Sequence, residues 1–233
     1  MSGIARARQQ AAAWAEMAIA DSRGDALDEL FLNGAPVAAL QALPASLSGI
    51  DPLRLLEVTG ADLTDISALR DCLGLRFGSL ENVPLVDISS LAGLSSLRGL
   101  SLSGSAVRDL RPLAELTELD WLVLDDCPVQ DLSPLTRLTG LTQLSVARTK
   151  VTDLTPLCEM TSLTRLTLSG SPVRDLAPIA GLSGLLADSP VSGLFLAGIA
   201  ALSTDPELAR AAAIPHTRLR TEAVLTWLRG RTA

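Results

Sequence analysis

Tyrosine is absent from this 233-residue chain, and Phe and Trp number three each. Aromatic side chains fill the large, irregular spaces of a mixed core, so their scarcity argues against a core of that kind. The single histidine, His216, stands in AIPHTR without a cysteine or carboxylate at relay or ligand spacing. It reads as a surface or capping residue, and no Ser-His-Asp set can be assembled around it. Cys72, Cys127 and Cys158 are odd in number and lack C-x-x-C spacing. They are expected to be reduced thiols of a cytoplasmic protein, not a disulfide framework or a zinc site. No eighteen-residue apolar run occurs, so no bilayer-spanning segment is expected. Arg6 and Arg8 precede an alanine-rich stretch, but Gln9, Gln10 and Glu16 break the apolar region that a secretion signal needs. Positive charge is also short. The formal net charge is −7 and the pI near 4.7, which argues against nucleic acid and against an anionic membrane surface as partners.

What the chain has in excess is leucine, about a fifth of all residues. With 48 % hydrophobic residues, disorder is excluded, and a core of Leu, Val and Ile points to one small unit packed many times. Residues 50–181 fall without gaps into six lines of 22, among them LSSLRGLSLSGSAVRDLRPLAE and MTSLTRLTLSGSPVRDLAPIAG. Asp recurs as Asp65, Asp87, Asp109, Asp131, Asp153 and Asp175, and Pro as Pro112, Pro134, Pro156 and Pro178. Each line carries L-x-x-L-x-L-x-x-(small)-x-L, as in Leu97, Leu100, Leu102, Ser105 and Val107.

The pairs Leu100/Leu102, Leu122/Leu124, Leu144/Val146 and Leu166/Leu168 have the period of two of a strand with one apolar face. Successive strands are expected to stack in parallel about 4.8 Å apart as a concave sheet. The second half of each unit, V-x-D-L-x-P-L, returns the chain over the convex side. Its Asp suits the start of a tight helical turn, because a carboxylate accepts backbone N–H groups there. Its Pro stands where no donor is needed. The segment is too short for an α-helix, so 3₁₀ or irregular turns are expected.

The pattern resembles the short 22-residue class of leucine-rich repeats, seen in phosphatase-regulator-like and internalin-like proteins. That resemblance implies an arc whose concave sheet binds another protein. Two departures stand out. Gly78 replaces the leucine found at Leu56, Leu100 and Leu122, and the asparagine ladder of many relatives is replaced by Ala35, Ala61, Val83, Ser105, Cys127, Thr149 and Ser171. Few side-chain hydrogen bonds are expected along that column. A looser repeat precedes the array, with Leu27, Leu30, Leu32 and Val37 in the same offsets. After it, an insertion of about six residues comes before a last strand at Leu194–Leu196.

The expected organisation is therefore a helical N-terminal cap (1–23), an irregular first repeat (24–49), six regular repeats (50–181), an irregular last repeat (182–202) and a helical C-terminal cap (203–233). Caps are needed because an end repeat would otherwise expose leucine core. Pro206 fits a first helical position, Gly230 a helix C-terminus, and Trp14 and Trp227 are placed to plug the two ends. With its sheet edges covered, the chain is expected to be monomeric by itself.

Strand alternation allows the concave face to be read from the register. The candidate partner-binding residues are Phe31, Leu55, Glu57, Phe77, Glu81, Trp121, Asp125, Gln143 and Arg165. Phe31, Leu55, Phe77 and Trp121 are large apolar residues where the register predicts solvent, as at binding hot spots. For Phe31 and Phe77 the alternative is an inward bend that fills space such as that beside Gly78; Trp121 lies in a regular repeat and is expected to be exposed. Acidic residues occupy the earlier repeats, and Arg148, Lys150, Arg165 and Arg174 the later ones. Chemistry-bearing motifs are missing: there is no GxxxxGK[ST], no GxGxxG after a strand and no HExxH. The Asp column resembles a carboxylate ladder, but turn capping accounts for it. No cofactor and no metal are expected. The sequence thus reads as a non-enzymatic protein-interaction scaffold (adaptor, regulator or inhibitor), with a structural or sensing subunit of a larger defence or effector assembly as the alternative.

Overall fold

A computed structural model describes residues 3–24, 28–50, 53–187 and 192–232. Among these residues eight short strands form one all-parallel sheet in sequence order: β1 (Glu29–Asn33), β2 (Leu55–Thr59), β3 (Phe77–Glu81), β4 (Gly99–Ser101), β5 (Trp121–Val123), β6 (Gln143–Ser145), β7 (Arg165–Thr167) and β8 (Gly193–Phe195). Neighbouring strands pair at an offset of one repeat, as in Leu100 with Leu122 and Leu122 with Leu144. The fold is a leucine-rich-repeat solenoid, with 3₁₀ turns on the return side and helices at its ends.

The core is a set of leucine columns. Leu122, Leu144 and Leu166 point inward from consecutive strands, and Leu113, Leu135 and Leu157 meet them from the return turns, each at most 1 % exposed. Because every unit repeats the same contacts, stability is spread along the stack as nearest-neighbour interfaces. Leu30, Leu32 and Val37 of the irregular first repeat join the same core; Leu27 lies outside the described residues.

The repeated aspartates begin the return turns. Oδ1 of Asp65, Asp87, Asp131, Asp153 and Asp175 accepts the backbone N–H two residues on at 2.8 Å in every case, and Asp109 does so at 3.0 Å. This is the side-chain turn that Asp forms with its own backbone. In four of the six regular units a proline follows within the 3₁₀ turn, where its missing N–H costs nothing. The bonds received hold the Asp65, Asp109 and Asp153 carboxyls below the ordinary carboxylate value of 3.8. A carboxyl depressed in the folded state stabilises the fold above its unfolded pKa and loses that contribution as pH falls through the folded value. Thermal stability is therefore expected to hold steady from neutral pH down to about pH 5 and to drop below about pH 4. The triple variant Asp65→Asn, Asp109→Asn, Asp153→Asn keeps a capping oxygen without the titration, so its melting temperature should fall less steeply over that acid range. An equal fall, followed by circular dichroism, would show that these groups do not govern acid unfolding.

A second column follows the strands. Gly60, Asn82, Gly104, Asp126, Arg148 and Gly170 all adopt positive φ, between 53° and 72°. Gly accepts this left-handed turn without penalty, and Asn and Asp tolerate it. Arg148 is the unusual member. Its guanidinium grips Asp126 of the preceding repeat, with Nε 2.7 Å from Oδ1, and the pair draws the Asp126 carboxyl below its ordinary range.

The column that replaces asparagine is better bonded than its sequence implies. Cys127 Sγ donates to the Leu102 carbonyl at 3.0 Å and lies 3.3 Å from Ser105 Oγ. Thr149 Oγ1 donates to the Val146 carbonyl at 2.8 Å, and Ser171 Oγ to the same carbonyl at 2.6 Å. Hydroxyl and thiol groups thus reach carbonyls of the turn, which corrects the expectation of few side-chain bonds.

At the ends, α1 (Gly3–Gly24) packs on β1 through Ala11, Ala15 and Ile19, with Trp14 against the core. The C-terminal end carries α2 (Ala201–Thr204), α3 (Pro206–Ala212) and α4 (Thr217–Thr232). Asp205 caps α3 by accepting from the N–H groups of Glu207 and Leu208, with Pro206 first in the helix as the sequence predicts. Trp227 packs against the core and lies 4.8 Å under the Arg231 guanidinium. Gly230 does not end α4. Arg229 donates to the Ala180 carbonyl and Arg231 pairs with Asp205, and these tertiary contacts carry the helix past the glycine.

Candidate functional site

The sheet face that points away from the leucine core carries three rows of side chains, set by the strand register. One row runs Glu29, Leu55, Phe77, Gly99, Trp121, Gln143, Arg165 and Gly193. The next runs Phe31, Glu57, Ser79, Ser101, Val123, Ser145, Thr167 and Phe195. Asn33, Thr59 and Glu81 form part of a third. All nine candidate residues lie on this face.

Phe31 is 49 % exposed and Phe77 38 %, so neither bends inward; the space beside Gly78 is taken by Leu100. Leu55 is half-buried. Glu57 accepts a hydrogen bond from Asn33 Nδ2 at 2.8 Å, and Glu81 accepts from Ser101 Oγ at 2.6 Å. Thr59 in turn donates to Asn33 Oδ1 at 3.1 Å. These contacts hold the carboxylates against neutral donors.

Trp121 departs from its expected exposure. Its indole lies across Gly99 of the neighbouring strand, so close that a Cβ on that glycine would sit 2.2 Å from Trp121 Cε2. Trp121 is half-buried, while Gly99 beneath it and Ser101 farther along β4 are buried. The glycine is thus what lets the ring lie flat. On the other side of the indole opens a depression of about 230 Å³, lined by Trp121, Asp125, Gln143, Ser145, Arg165 and Thr167. Four of the nine candidate residues meet there. Asp125 is fixed by the Ser145 hydroxyl and by the Ala147 N–H.

The later basic residues do not form one group. Arg148 sits in the turn after β6, committed to Asp126, and Arg174 borders a separate groove of about 420 Å³ beside Trp227 and Arg231. Only Arg165 lies in the strand rows. It stacks 4.8 Å above the Phe195 ring, which Arg220 of α4 also approaches at 5.5 Å. Phe195 is the residue that sequence reasoning missed. The insertion before β8 breaks the 22-residue count, and the candidate face was read only over the regular repeats; with about six inserted residues Leu194 pairs with Leu166 as expected, which places Phe195 beside Thr167.

Burial raises both interior thiols, Cys72 to about 11 and Cys127 upward as well, so neither is poised as a nucleophile at neutral pH. Among the described residues no three His, Cys, Asp or Glu side chains gather as metal ligands, and no helix is long and apolar enough to cross a membrane.

No protein-family model and no curated protein sequence matches the chain. Solved structures do. Internalin C2 of Listeria monocytogenes aligns with a TM-score of 0.60 and 26 % identity, over 78 % of this chain and 83 % of that one. The internalin InlF of the same organism aligns at 0.52 and 26 % identity, over 66 % and 57 %. The chain is an internalin-like leucine-rich-repeat protein. A Leptospira interrogans leucine-rich-repeat protein shares the fold alone, at 19 % identity with a TM-score of 0.61, over 70 % of this chain and 44 % of that one. This leucine-rich-repeat chain spans most of internalin C2 but 57 % or less of the other two.

Proposed function

We propose that this protein is a non-catalytic interaction scaffold, acting as an adaptor, regulator or inhibitor, whose concave sheet holds part of a protein partner. The observation that carries the reading is the depression beside Trp121, with Asp125, Gln143 and Arg165 around it. A half-buried indole with a polar surround has the composition of an interface hot spot. Successive repeats hold the face rigid, so little ordering is required of it on binding. Cys72, Cys127 and Cys158 are all free, which supports a reducing, cytoplasmic setting.

The test begins with a partner identified by co-purification and mass spectrometry, its affinity measured by calorimetry. Trp121→Ala is expected to weaken binding at least about tenfold, as removal of a central hot-spot residue does. Gly99→Ala keeps the tryptophan but evicts it from its resting place, and is expected to weaken binding as well. An unchanged Kd in both variants, with unchanged circular dichroism spectra, would remove this surface as the binding site.

A further inference from the structure

The two ends of the concave face differ in chemistry. Over β1–β3 the exposed rings of Phe31 and Phe77 alternate with the carboxylates of Glu29, Glu57 and Glu81. Among the described residues none of these three carboxylates makes a salt bridge; Glu57 and Glu81 are held by neutral donors instead. Over β7–β8 the arrangement inverts, with the guanidinium groups of Arg165 and Arg220 flanking the Phe195 ring. The Arg220 guanidinium also donates to the backbone carbonyls of Leu194 and Ile214, and among the described residues it meets no carboxylate. Between the ends lies the depression at Trp121.

Resting on the scaffold reading above, we propose that this face binds a protein segment of fixed polarity. One end of that segment is apolar and bears Lys or Arg, and docks over β1–β3; the other end is acidic and docks over β7–β8. Charge complementarity carries the assignment. Carboxylates bonded to neutral donors keep their full charge for an incoming cation, and like charges brought together reject the reversed orientation. The span fits such a segment. Four strand steps separate β3 from β7, about 19 Å in all, which corresponds to roughly 13 residues of α-helix. A helix laid across the strands also presents same-face residues about 5–6 Å apart, near the roughly 4.8 Å step of the sheet.

Photo-crosslinking of the full chain in its native host tests this, with benzoylphenylalanine placed at Ser79 or at Thr167 and the captured peptides sequenced. Crosslinks from Ser79 should fall in an apolar stretch carrying two or more Lys or Arg, and those from Thr167 in an acidic stretch of the same partner. The double variant Glu57→Gln, Glu81→Gln preserves the shape of the hydrogen-bonded groups without their charge. It should lower the Ser79 yield at least about fivefold, and so should a rise to about 0.5 M salt. Neutral segments, the reverse charge order, capture of a second copy of this chain, or an unchanged yield in the double variant would each overturn the polarity while leaving the scaffold reading standing. No crosslink to any protein from either position would overturn both.

Discussion

Leu144→Ala is expected to destabilise the protein by about 3 kcal/mol, within the range for deleting a fully buried leucine and leaving a cavity. Leu144 is 1 % exposed and stands mid-stack, paired through its strand with Leu122 on one side and Leu166 on the other. Removing its side chain loosens two interfaces at once, because each repeat holds only its neighbours. Leu73 supplies the control. It is 60 % exposed, and Leu73→Ala should change stability by less than about 0.5 kcal/mol. Urea titration followed by circular dichroism reads both. A cost under about 1 kcal/mol for Leu144→Ala would mean that the columns relax around a void, contrary to close packing.

The C-terminal cap should be as sensitive, at a residue that carries no side chain. Gly193 opens β8 with φ of +126°, a conformation that L side chains rarely adopt, and an added Cβ would lie 2.5 Å from Thr217 Cγ2 of α4. The same junction holds a buried bond, in which the Leu194 N–H donates to Thr221 Oγ1 at 2.9 Å while that hydroxyl donates to the Thr217 carbonyl. Gly193→Val combines backbone strain of about 1–3 kcal/mol with steric displacement of α4 from the sheet edge. We expect a total loss of about 3–4 kcal/mol and faster hydrogen exchange concentrated in residues 193–232. Gly230→Ala is the counterpart within α4. Nothing lies within 4 Å of its added Cβ, and alanine is the better helix former by about 1 kcal/mol. If Gly193→Val melted with the wild type, the cap would not depend on this junction.

Much of the architecture was legible because the determinants are local and repeated. An inward leucine pair, a turn-capping Asp and a proline in the return each act within a few residues of themselves, and six copies average out any irregular one. The same register placed Phe31, Leu55, Glu57, Phe77, Glu81, Trp121, Asp125, Gln143 and Arg165 on one face, since strand alternation is a property of the backbone. The candidate face was read only as far as the regular count ran. Before β8 the insertion hid Phe195, so the aromatic platform beneath Arg165 was not foreseen. The positive-φ column was also present in the chain as Gly60, Gly104 and Gly170 at the repeat period. Asn82, Asp126 and Arg148 obscured it by occupying the same place.

By itself, then, the sequence determined the solenoid, its register and the turns that close each repeat, because these depend on spacing along the chain. Only the tertiary structure decided what neighbouring repeats do to one another. Trp121 lies flat because the residue beside it in space, one repeat earlier, is Gly99. Ser105, Cys127, Thr149 and Ser171 become a bonded column because stacking brings carbonyls and hydroxyls together. Arg148 endures a left-handed turn with Asp126 of the preceding turn to grip. Apart from the local bond from Thr149 to Val146, each of these results pairs residues 22 positions apart or more, and their distance and angle are set when the strands stack.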